Sequence, residues 1–324
     1  MNGIPAFAGM TSLLVSLSAA ALEHAMPVDC VPGESCWIVN YVDMDAGKAA
    51  RDYTCGSQTY NGHNGTDFAI RDLAAMREGV RVLASAPGVV KRRRDGVSDE
   101  GMDKHPQGQE CGNGVLIDHA DGWQTQYCHL RQGSVRVRPG DRVQAGAPLG
   151  MVGHSGKAEF PHLHFTVRRR GQALDPFAGT DTGCGLSGTP LWDAPARKAL
   201  EYRPASIYAA GLAGGRVEPG MVHKGSVPAA RIDSPALVAW AAIYGVRGGD
   251  EMRLSLMDDA GGVLARHRVT AQRNQARFVF FTGKKRQEAQ WRAGEYRVEV
   301  ELLRPRASGE APYSTVRRAA AKLE

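Results

Sequence analysis

Short apolar runs separated by turn residues follow one another along most of this chain, and this alternation constrains its fold more than any other feature. The runs at 80–86, 114–118 and 163–167 are typical, and each lies close to Gly, Pro, Asn or Asp. The chain contains 39 Gly and 17 Pro, and aromatic residues make up only 7% of it. Short runs between turn residues are typical of β-rich proteins, whereas a helical bundle needs longer segments with a period of about 3.6 residues. The sequence therefore predicts a mainly β protein.

A change in pattern divides the chain into two predicted domains, for which 324 residues are sufficient. The first domain covers 26–177 and begins with an irregular, Cys-rich segment. Residues 178–205 are rich in Gly, Pro, Asp and Thr, and we predict a linker there. Regularly spaced strand-like runs over 206–305 predict an Ig-like β-sandwich without a catalytic cluster, for which we expect a positioning or binding role. The polar residues 306–324 predict a disordered tail.

The N-terminal region has the pattern of a secretory signal peptide, which we predict over residues 1–25. Its apolar run at 10–22 is rich in Ala and Ser, and is shorter than the roughly 18 residues that a transmembrane helix requires. The first basic residue is Lys48, so the usual positive region is missing and the true start codon stays open. We expect a protein that is exported, either to the periplasm or out of the cell, and that has no transmembrane segment.

The cysteines support export. They stand at positions 30, 36, 55, 111, 128 and 184, and an even number predicts a disulfide framework in an oxidising compartment. Six buried thiols or a structural zinc site are the alternatives, although the chain has no Cys-x-x-Cys pair. Cys111 and Cys128 flank a predicted hairpin around 120–122, so we expect these two to pair.

Four of the ten histidines fall in patterns that suit a metal or catalytic site, in part because their spacing brings side chains together. His63 precedes Asp67 by four residues with a Gly between them. His162 and His164 lie in a strand-like run, where residues two apart project from the same face. His129 follows another such run. Two His and one Asp form the three-ligand set expected of a catalytic Zn²⁺, which keeps a further position open for water.

These motifs resemble the LytM/lysostaphin-type zinc metallopeptidases, which cut peptide bonds in peptidoglycan. The resemblance spans roughly 60–177 and also includes the stretch 138–150. It is carried by these motifs: His63-x-x-x-Asp67, Tyr127-x-His129-Leu130 and Pro161-His162-Leu163-His164-Phe165.

The resemblance implies a role for each of the five residues. His63, Asp67 and His164 are then the ligands of Zn²⁺, while His129 and His162 are a catalytic pair that does not bind the metal. It also implies an antiparallel β-sheet with the site in a groove. The Cys-rich N-terminal segment and an insertion at 91–109 depart from the family pattern.

Two functions remain open on the sequence alone. The first is a zinc metalloendopeptidase that hydrolyses peptide cross-links of peptidoglycan. The alternative is a non-catalytic envelope regulator that binds or activates other cell-wall hydrolases; a secreted, bacteriocin-like lysin ranks third. The net charge of +6, from 40 Lys and Arg against 34 Asp and Glu, suits an anionic envelope substrate. We expect peptidoglycan peptide stems as partners, other envelope proteins as candidates for the β-sandwich, and no nucleic acid.

Overall fold

The computed structural model describes residues 22–104, 107–185, 188–306 and 311–324. These residues form a mainly antiparallel β structure with short helices, which confirms the predicted class. The predicted leader lies outside the described residues, except for 22–25. The α-helices are α1 (Leu73–Glu78), α2 (Ala194–Ala199) and α3 (Pro219–Lys224).

Ten strands build the first domain. They are β1 (Cys36–Asn40), β2 (Thr66–Ile70), β3 (Arg81–Leu83), β4 (Gly88–Arg94), β5 (Asn113–Asp118), β6 (Trp123–Leu130), β7 (Arg142–Val143), β8 (Pro148–Met151), β9 (His162–Arg169) and β10 (Gln172–Leu174). The main sheet has the order β1-β2-β9-β6-β5-β4-β7, with β10 beside β9, and β3 pairs with β8 separately. All of these pairings are antiparallel.

Strand β9 shows why this sheet presents histidines on one face. Leu163, Phe165 and Val167 are buried in the core of the domain, and burial of each such side chain contributes about 1.5–3 kcal/mol. Because side chains alternate along a strand, the intervening His162 and His164 point to the opposite face. Burial of the apolar side chains on one face of β9 therefore fixes the direction in which the two histidines on the other face point.

Seven strands build the second domain. They are β11 (Ser206–Ala213), β12 (Ala236–Val246), β13 (Glu251–Met257), β14 (Val263–Thr270), β15 (Gln275–Lys285), β16 (Gly294–Arg304) and β17 (Tyr313–Leu323). They form two sheets of order β11-β12-β15 and β14-β13-β16-β17, and the sheets share one apolar core. An Ig-like arrangement of these strands stays a prediction.

The prediction of a disordered tail is wrong for residues 313–323. Strand β17 pairs along the whole of β16, from Tyr313 opposite Arg304 to Leu323 opposite Gly294. Its side chains alternate between half-buried and exposed. Ser314, Arg318 and Lys322 lie on the exposed face of this edge strand, whereas Arg317 lies on the half-buried face. Residues 307–310 of the predicted tail lie outside the described part of the chain.

The predicted linker and leader boundaries also differ from the structure. Leu191, Trp192 and Leu200, inside the predicted linker, are buried in the core of the first domain. At the other end, His24 is completely buried and its backbone N–H donates to the carbonyl of Leu191. The first domain therefore includes residues before 26 and after 177, which pair with each other. The Gly and Pro content of 178–205 predicted a linker, although several apolar residues of this segment belong to the core of the first domain.

Three disulfides tie the first domain together: Cys30–Cys36, Cys55–Cys184 and Cys111–Cys128. The last of them is the predicted pair, and no cysteine is free. Among the described residues, no helix is long and apolar enough to cross a membrane.

The two domains meet in a buried apolar cluster, which we call the interdomain core. It is packed tightly: the rings of Tyr208 and Tyr244 stack with centroids 3.9 Å apart, and Trp37 lies 5.8 Å from Tyr208. The buried members of the interdomain core are Trp37, Val39, Ala69 and Phe160 of the first domain and Tyr208, Ala209, Ala213, Val217, Val222, Ala242 and Tyr244 of the second.

Candidate metal centre

Strands β2 and β9 bring the first three predicted site residues together. Asp67 in β2 and His164 in β9 are directly opposite each other across the antiparallel pair, a position in which side chains on the same face are in contact. His63 lies just before β2. Gly65 between them allows close approach, because a Cβ at this position would lie 2.6 Å from Nε2 of His164 and 2.8 Å from the carbonyl of Phe165.

Three donor atoms of these residues form a compact triangle. Nε2 of His63 is 3.2 Å from Oδ1 of Asp67 and 3.1 Å from Nδ1 of His164, and the last two atoms are 2.9 Å apart. Ligands about 2.0–2.1 Å from a tetrahedral Zn²⁺ are separated by about 3.3 Å. The triangle therefore has the donor types and the size that such a cation requires.

Hydrogen bonds behind the triangle hold its donors in the required orientation. Nδ1–H of His63 donates to the carbonyl of Tyr41 at 2.7 Å, which leaves the Nε2 lone pair facing the other two donors. Nδ2 of Asn40 donates to Oδ2 of Asp67 at 2.8 Å, and Oδ1 is left for the centre. Such outer partners fix the tautomer and the orientation of metal-binding side chains.

The charges within the triangle favour a bound cation. Burial opposes ionisation of Asp67, but the neighbouring imidazoles of His63, His162 and His164 hold its pKa well below the usual value. Burial also lowers the pKa of His63, and the Asp67 carboxylate more than offsets this, so the net shift is upward. An ionised, buried carboxylate between two imidazoles is a site for a positive charge.

His129 and His162 form a second pair beside the triangle, with ring centroids 4.6 Å apart. Each ring is anchored in the same way: Nδ1–H of His129 donates to the carbonyl of Ser155, and Nδ1–H of His162 donates to that of Phe160, both at 2.8 Å. Both Nε2 atoms therefore carry the lone pair. Nε2 of His162 lies 3.6 Å from Oδ1 of Asp67.

Burial keeps this pair uncharged at neutral pH. It lowers the pKa of His129 well below the usual value, with the neighbouring His162 and His164 adding to the effect. It also lowers the pKa of His162, although the Asp67 carboxylate acts in the opposite direction. Two neutral imidazoles that expose a lone pair can accept a proton.

The backbone of His129 has a left-handed conformation with φ = 62°, which is uncommon for a residue with a side chain. It falls near the end of β6, where the register between β5 and β6 shifts. Its N–H donates to the carbonyl of Cys111 at 2.8 Å, and Cys111 is bonded to Cys128, the residue before His129. The disulfide and the irregular pairing together support this conformation.

A cavity of about 500 Å³, which we call the site cavity, borders the metal centre and is lined by Asp67, His129 and His162. Pro204 and residues 245–247 and 274–276, which lie in or next to the second domain, line it as well. A substrate that reaches the five site residues through this cavity therefore contacts both domains.

Sequence reasoning identified five residues that the structure brings together, and it missed two others. Tyr60 lines the site cavity, with its ring 4.5 Å from that of His63; burial and the carboxylates of Asp67 and Glu159 raise its pKa. Asn40 lines the cavity and supports Asp67. Tyr60 precedes the His63 motif closely enough to have been a candidate, whereas nothing in the sequence around Asn40 marked it.

An antiparallel β-sheet with three donors for a metal beside two neutral histidines is an arrangement that suits metal-dependent hydrolysis. Residues 61–176 match the model of Peptidase family M23. Residues 61–176 thus form a domain of the LytM-type M23 family, as the motifs predicted.

Two curated relatives are similar to this part of the chain. It is 34% identical over 113 residues to the peptidoglycan DD-endopeptidase ShyA of Vibrio cholerae, a match that covers 35% of this chain and 22% of the relative. It is also 34% identical over 120 residues to the DD-carboxypeptidase/endopeptidase Mpg of Neisseria gonorrhoeae, covering 36% and 23%. The chain thus spans less than a quarter of the length of these relatives.

Among solved structures, the catalytic domain of the antimicrobial peptidase lysostaphin from Staphylococcus simulans is 25% identical. The match covers 42% of this chain and 85% of that domain, with a TM-score of 0.28.

Proposed function

We propose that this protein is a zinc-dependent metalloendopeptidase that hydrolyses the peptide cross-links of peptidoglycan. The observation that carries the proposal is the triangle of Nε2 of His63, Oδ1 of Asp67 and Nδ1 of His164, with separations of 2.9–3.2 Å, beside the neutral pair His129 and His162. Two imidazoles and one carboxylate are a usual ligand set of catalytic zinc. When bound, zinc supplies the Lewis acidity that makes water a nucleophile at neutral pH and polarises a peptide carbonyl.

The remaining chemistry belongs to His129 and His162. Both residues line the site cavity, and their Nε2 atoms are left as acceptors because both Nδ1–H groups are engaged with backbone carbonyls. One of them accepts the proton of the attacking water, and the protonated ring then serves as an acid for the leaving amine. The other, through its Nε2 lone pair, accepts a hydrogen bond from the attacking water and orients it.

The location and the substrate are supported by other observations. Three disulfides and no free cysteine suit an oxidising compartment outside the cytoplasm. The matched relatives include proteins described as acting on peptidoglycan as DD-endopeptidases. We therefore propose export to the compartment that holds peptidoglycan, with its cross-linked peptide stems as the substrate.

A digestion experiment tests this proposal. The full chain, loaded with one equivalent of Zn²⁺, is incubated with purified peptidoglycan, and the products are identified by mass spectrometry. We expect cross-linked peptide dimers to be converted to monomers, no conversion after chelation, and recovery when Zn²⁺ is restored. If the zinc-loaded protein never cleaves a cross-link, the proposal fails, and the regulator alternative is then tested by adding other cell-wall hydrolases to the same digestion.

A further inference from the structure

The second domain forms one wall of the site cavity. Residues 245–247 lie at the end of β12, and residues 274–276 lie at the start of β15; both groups line the cavity that Asp67, His129 and His162 line from the first domain. Because this cavity borders the metal centre, a peptide that binds in it has the residues of this wall within reach of the groups that flank its scissile bond. The second domain therefore supplies part of the surface that a substrate contacts.

This wall is fixed relative to the metal centre. Tyr244, just before it, is buried in the interdomain core and its hydroxyl donates to the carbonyl of Ile70 at 3.0 Å. Ile70 is the last residue of β2, the strand that carries Asp67. The same β2 strand thus anchors a metal-binding side chain and the segment that leads into the wall. Arg247 is three residues beyond Tyr244, so its position depends on this anchor.

Arg247 has an unused hydrogen-bonding group. The residue is half-buried and lines the site cavity. Its Nη2 is buried and has no hydrogen-bond partner among the described residues. A buried guanidinium nitrogen without a partner is unfavourable, and a guanidinium binds a carboxylate through two parallel hydrogen bonds. This combination is expected of a residue that is completed by an anionic ligand.

The distribution of charge agrees with an anionic ligand at this wall. Residues 206–324 contain 19 Lys and Arg against 12 Asp and Glu, a net charge of 19 − 12 = +7, whereas residues 1–205 contain 21 against 22 and carry −1. The excess positive charge of the chain therefore lies in the domain that supplies the wall. Such a field attracts anions to the cavity, and two neutral polar residues, Asn274 and Gln275, line the cavity as well.

We propose that Arg247 is a specificity-determining residue that binds a free carboxylate of the substrate peptide next to the scissile bond. The proposal rests on the peptidase function proposed above. It assigns to the second domain the selection of peptides that carry a carboxylate over the same peptides with a neutral carboxamide. Arg247 takes no part in the chemical step, which remains with the residues of the first domain.

A comparison of two substrates tests this role. The zinc-loaded full chain is given a cross-linked peptide with free carboxylates and the same peptide with carboxamides, and kcat and KM are measured for both. A charge-assisted hydrogen bond predicts that the wild type prefers the carboxylate form by about 10- to 100-fold in kcat/KM. Arg247→Gln should lose this preference, mainly through a higher KM for the carboxylate form, with kcat/KM for the carboxamide form changed by less than about threefold.

Matched variants separate the outcomes. Arg273→Gln removes an exposed arginine that precedes the 274–276 group without lining the cavity, and it should keep the wild-type preference. Arg247→Lys keeps the positive charge and should retain part of the preference for the carboxylate form. Cleavage of the carboxamide peptide by Arg247→Gln shows that the variant is folded and that the peptidase function stands. An equal preference in wild type and Arg247→Gln, with both active, overturns the role of Arg247 alone, whereas no cleavage by the wild type overturns the proposed function instead.

Discussion

The hydroxyl of Tyr244 in the second domain donates a hydrogen bond of 3.0 Å to the carbonyl of Ile70 in the first. Both residues are buried, with 2% and 0% of their surfaces exposed. Tyr244 also stacks on Tyr208, whose hydroxyl is buried without a hydrogen-bond partner among the described residues. The contact between the domains is thus a packed core with a specific polar anchor, and the two domains are expected to unfold together.

Two tyrosine substitutions test this anchor. Tyr244→Phe removes one buried hydrogen bond and keeps the ring, so it should lower the free energy of unfolding by about 1 kcal/mol. Tyr208→Phe is the matched control: its hydroxyl has no partner, and its removal should leave the stability unchanged or slightly higher. Urea unfolding of the full chain measures both. Equal effects of the two substitutions would show that the Tyr244–Ile70 bond contributes nothing.

The disulfides should differ in their contributions because they close loops of different length. Cys55–Cys184 spans 129 residues, and Cys111–Cys128 spans 17. Loop-closure entropy predicts a loss of about 5 kcal/mol for Cys55→Ser/Cys184→Ser and about 3 kcal/mol for Cys111→Ser/Cys128→Ser. Denaturant unfolding of the oxidised double variants gives the two values. The reverse order would show that the entropy of the unfolded chain does not dominate.

Burial of His24 predicts a pH-dependent stability. Burial and the nearby His119 lower its pKa from 6.5 to about 3, so the unfolded chain takes up a proton below about pH 6.5 that the folded chain does not. Stability therefore falls as the pH falls through this range, by about 2 kcal/mol between pH 7 and pH 5 from this residue.

The variant His24→Asn isolates this contribution, since it removes the ionisable group while keeping a polar atom near Oγ of Ser85. The difference in unfolding free energy between pH 7 and pH 5 should be about 2 kcal/mol smaller than in the wild type. His267→Asn, at an exposed position of β14, is the control. A variant with the pH dependence of the wild type would contradict the buried, neutral state of His24.

Much of the metal centre could be predicted from sequence because its residues lie in short local motifs. His162 and His164 share a strand face, and His63 and Asp67 are four residues apart, so local geometry together with the family resemblance was sufficient. Asn40 could not be found in this way. It reaches Asp67 only because β1 pairs with β2, and this pairing depends on the tertiary fold.

The ends of the domains were predicted less well, because they were inferred from composition, whereas the packing of side chains determines where a domain ends. Trp192 is buried in a segment whose Gly and Pro content resembles a linker. Strand β17 is polar and rich in Ala, yet its backbone pairs with the whole length of β16. The position of Arg247 at the site cavity could not be anticipated either, because no local sequence pattern links the end of β12 in the second domain to the metal centre of the first.

Removal of the paired histidines should separate metal binding from turnover. His129→Ala and His162→Ala leave the three donors of the triangle in place, so both variants should keep the metal. Each should lose about 10²–10³-fold in kcat, because the proton acceptor or the group that orients the attacking water is missing. Steady-state cleavage of a cross-linked peptide measures the loss. Full turnover in either variant would remove that histidine from the mechanism.

The metal content of the ligand variants tests the central claim most directly. The wild type, His63→Ala, Asp67→Ala and His164→Ala are purified in parallel with His129→Ala, dialysed against the same zinc buffer, and measured by elemental analysis. We expect about one Zn²⁺ per chain in the wild type and in His129→Ala, and a large loss in each of the three ligand variants. A ligand variant that retains zinc as tightly as the wild type would contradict the assignment of His63, Asp67 and His164 as the metal centre.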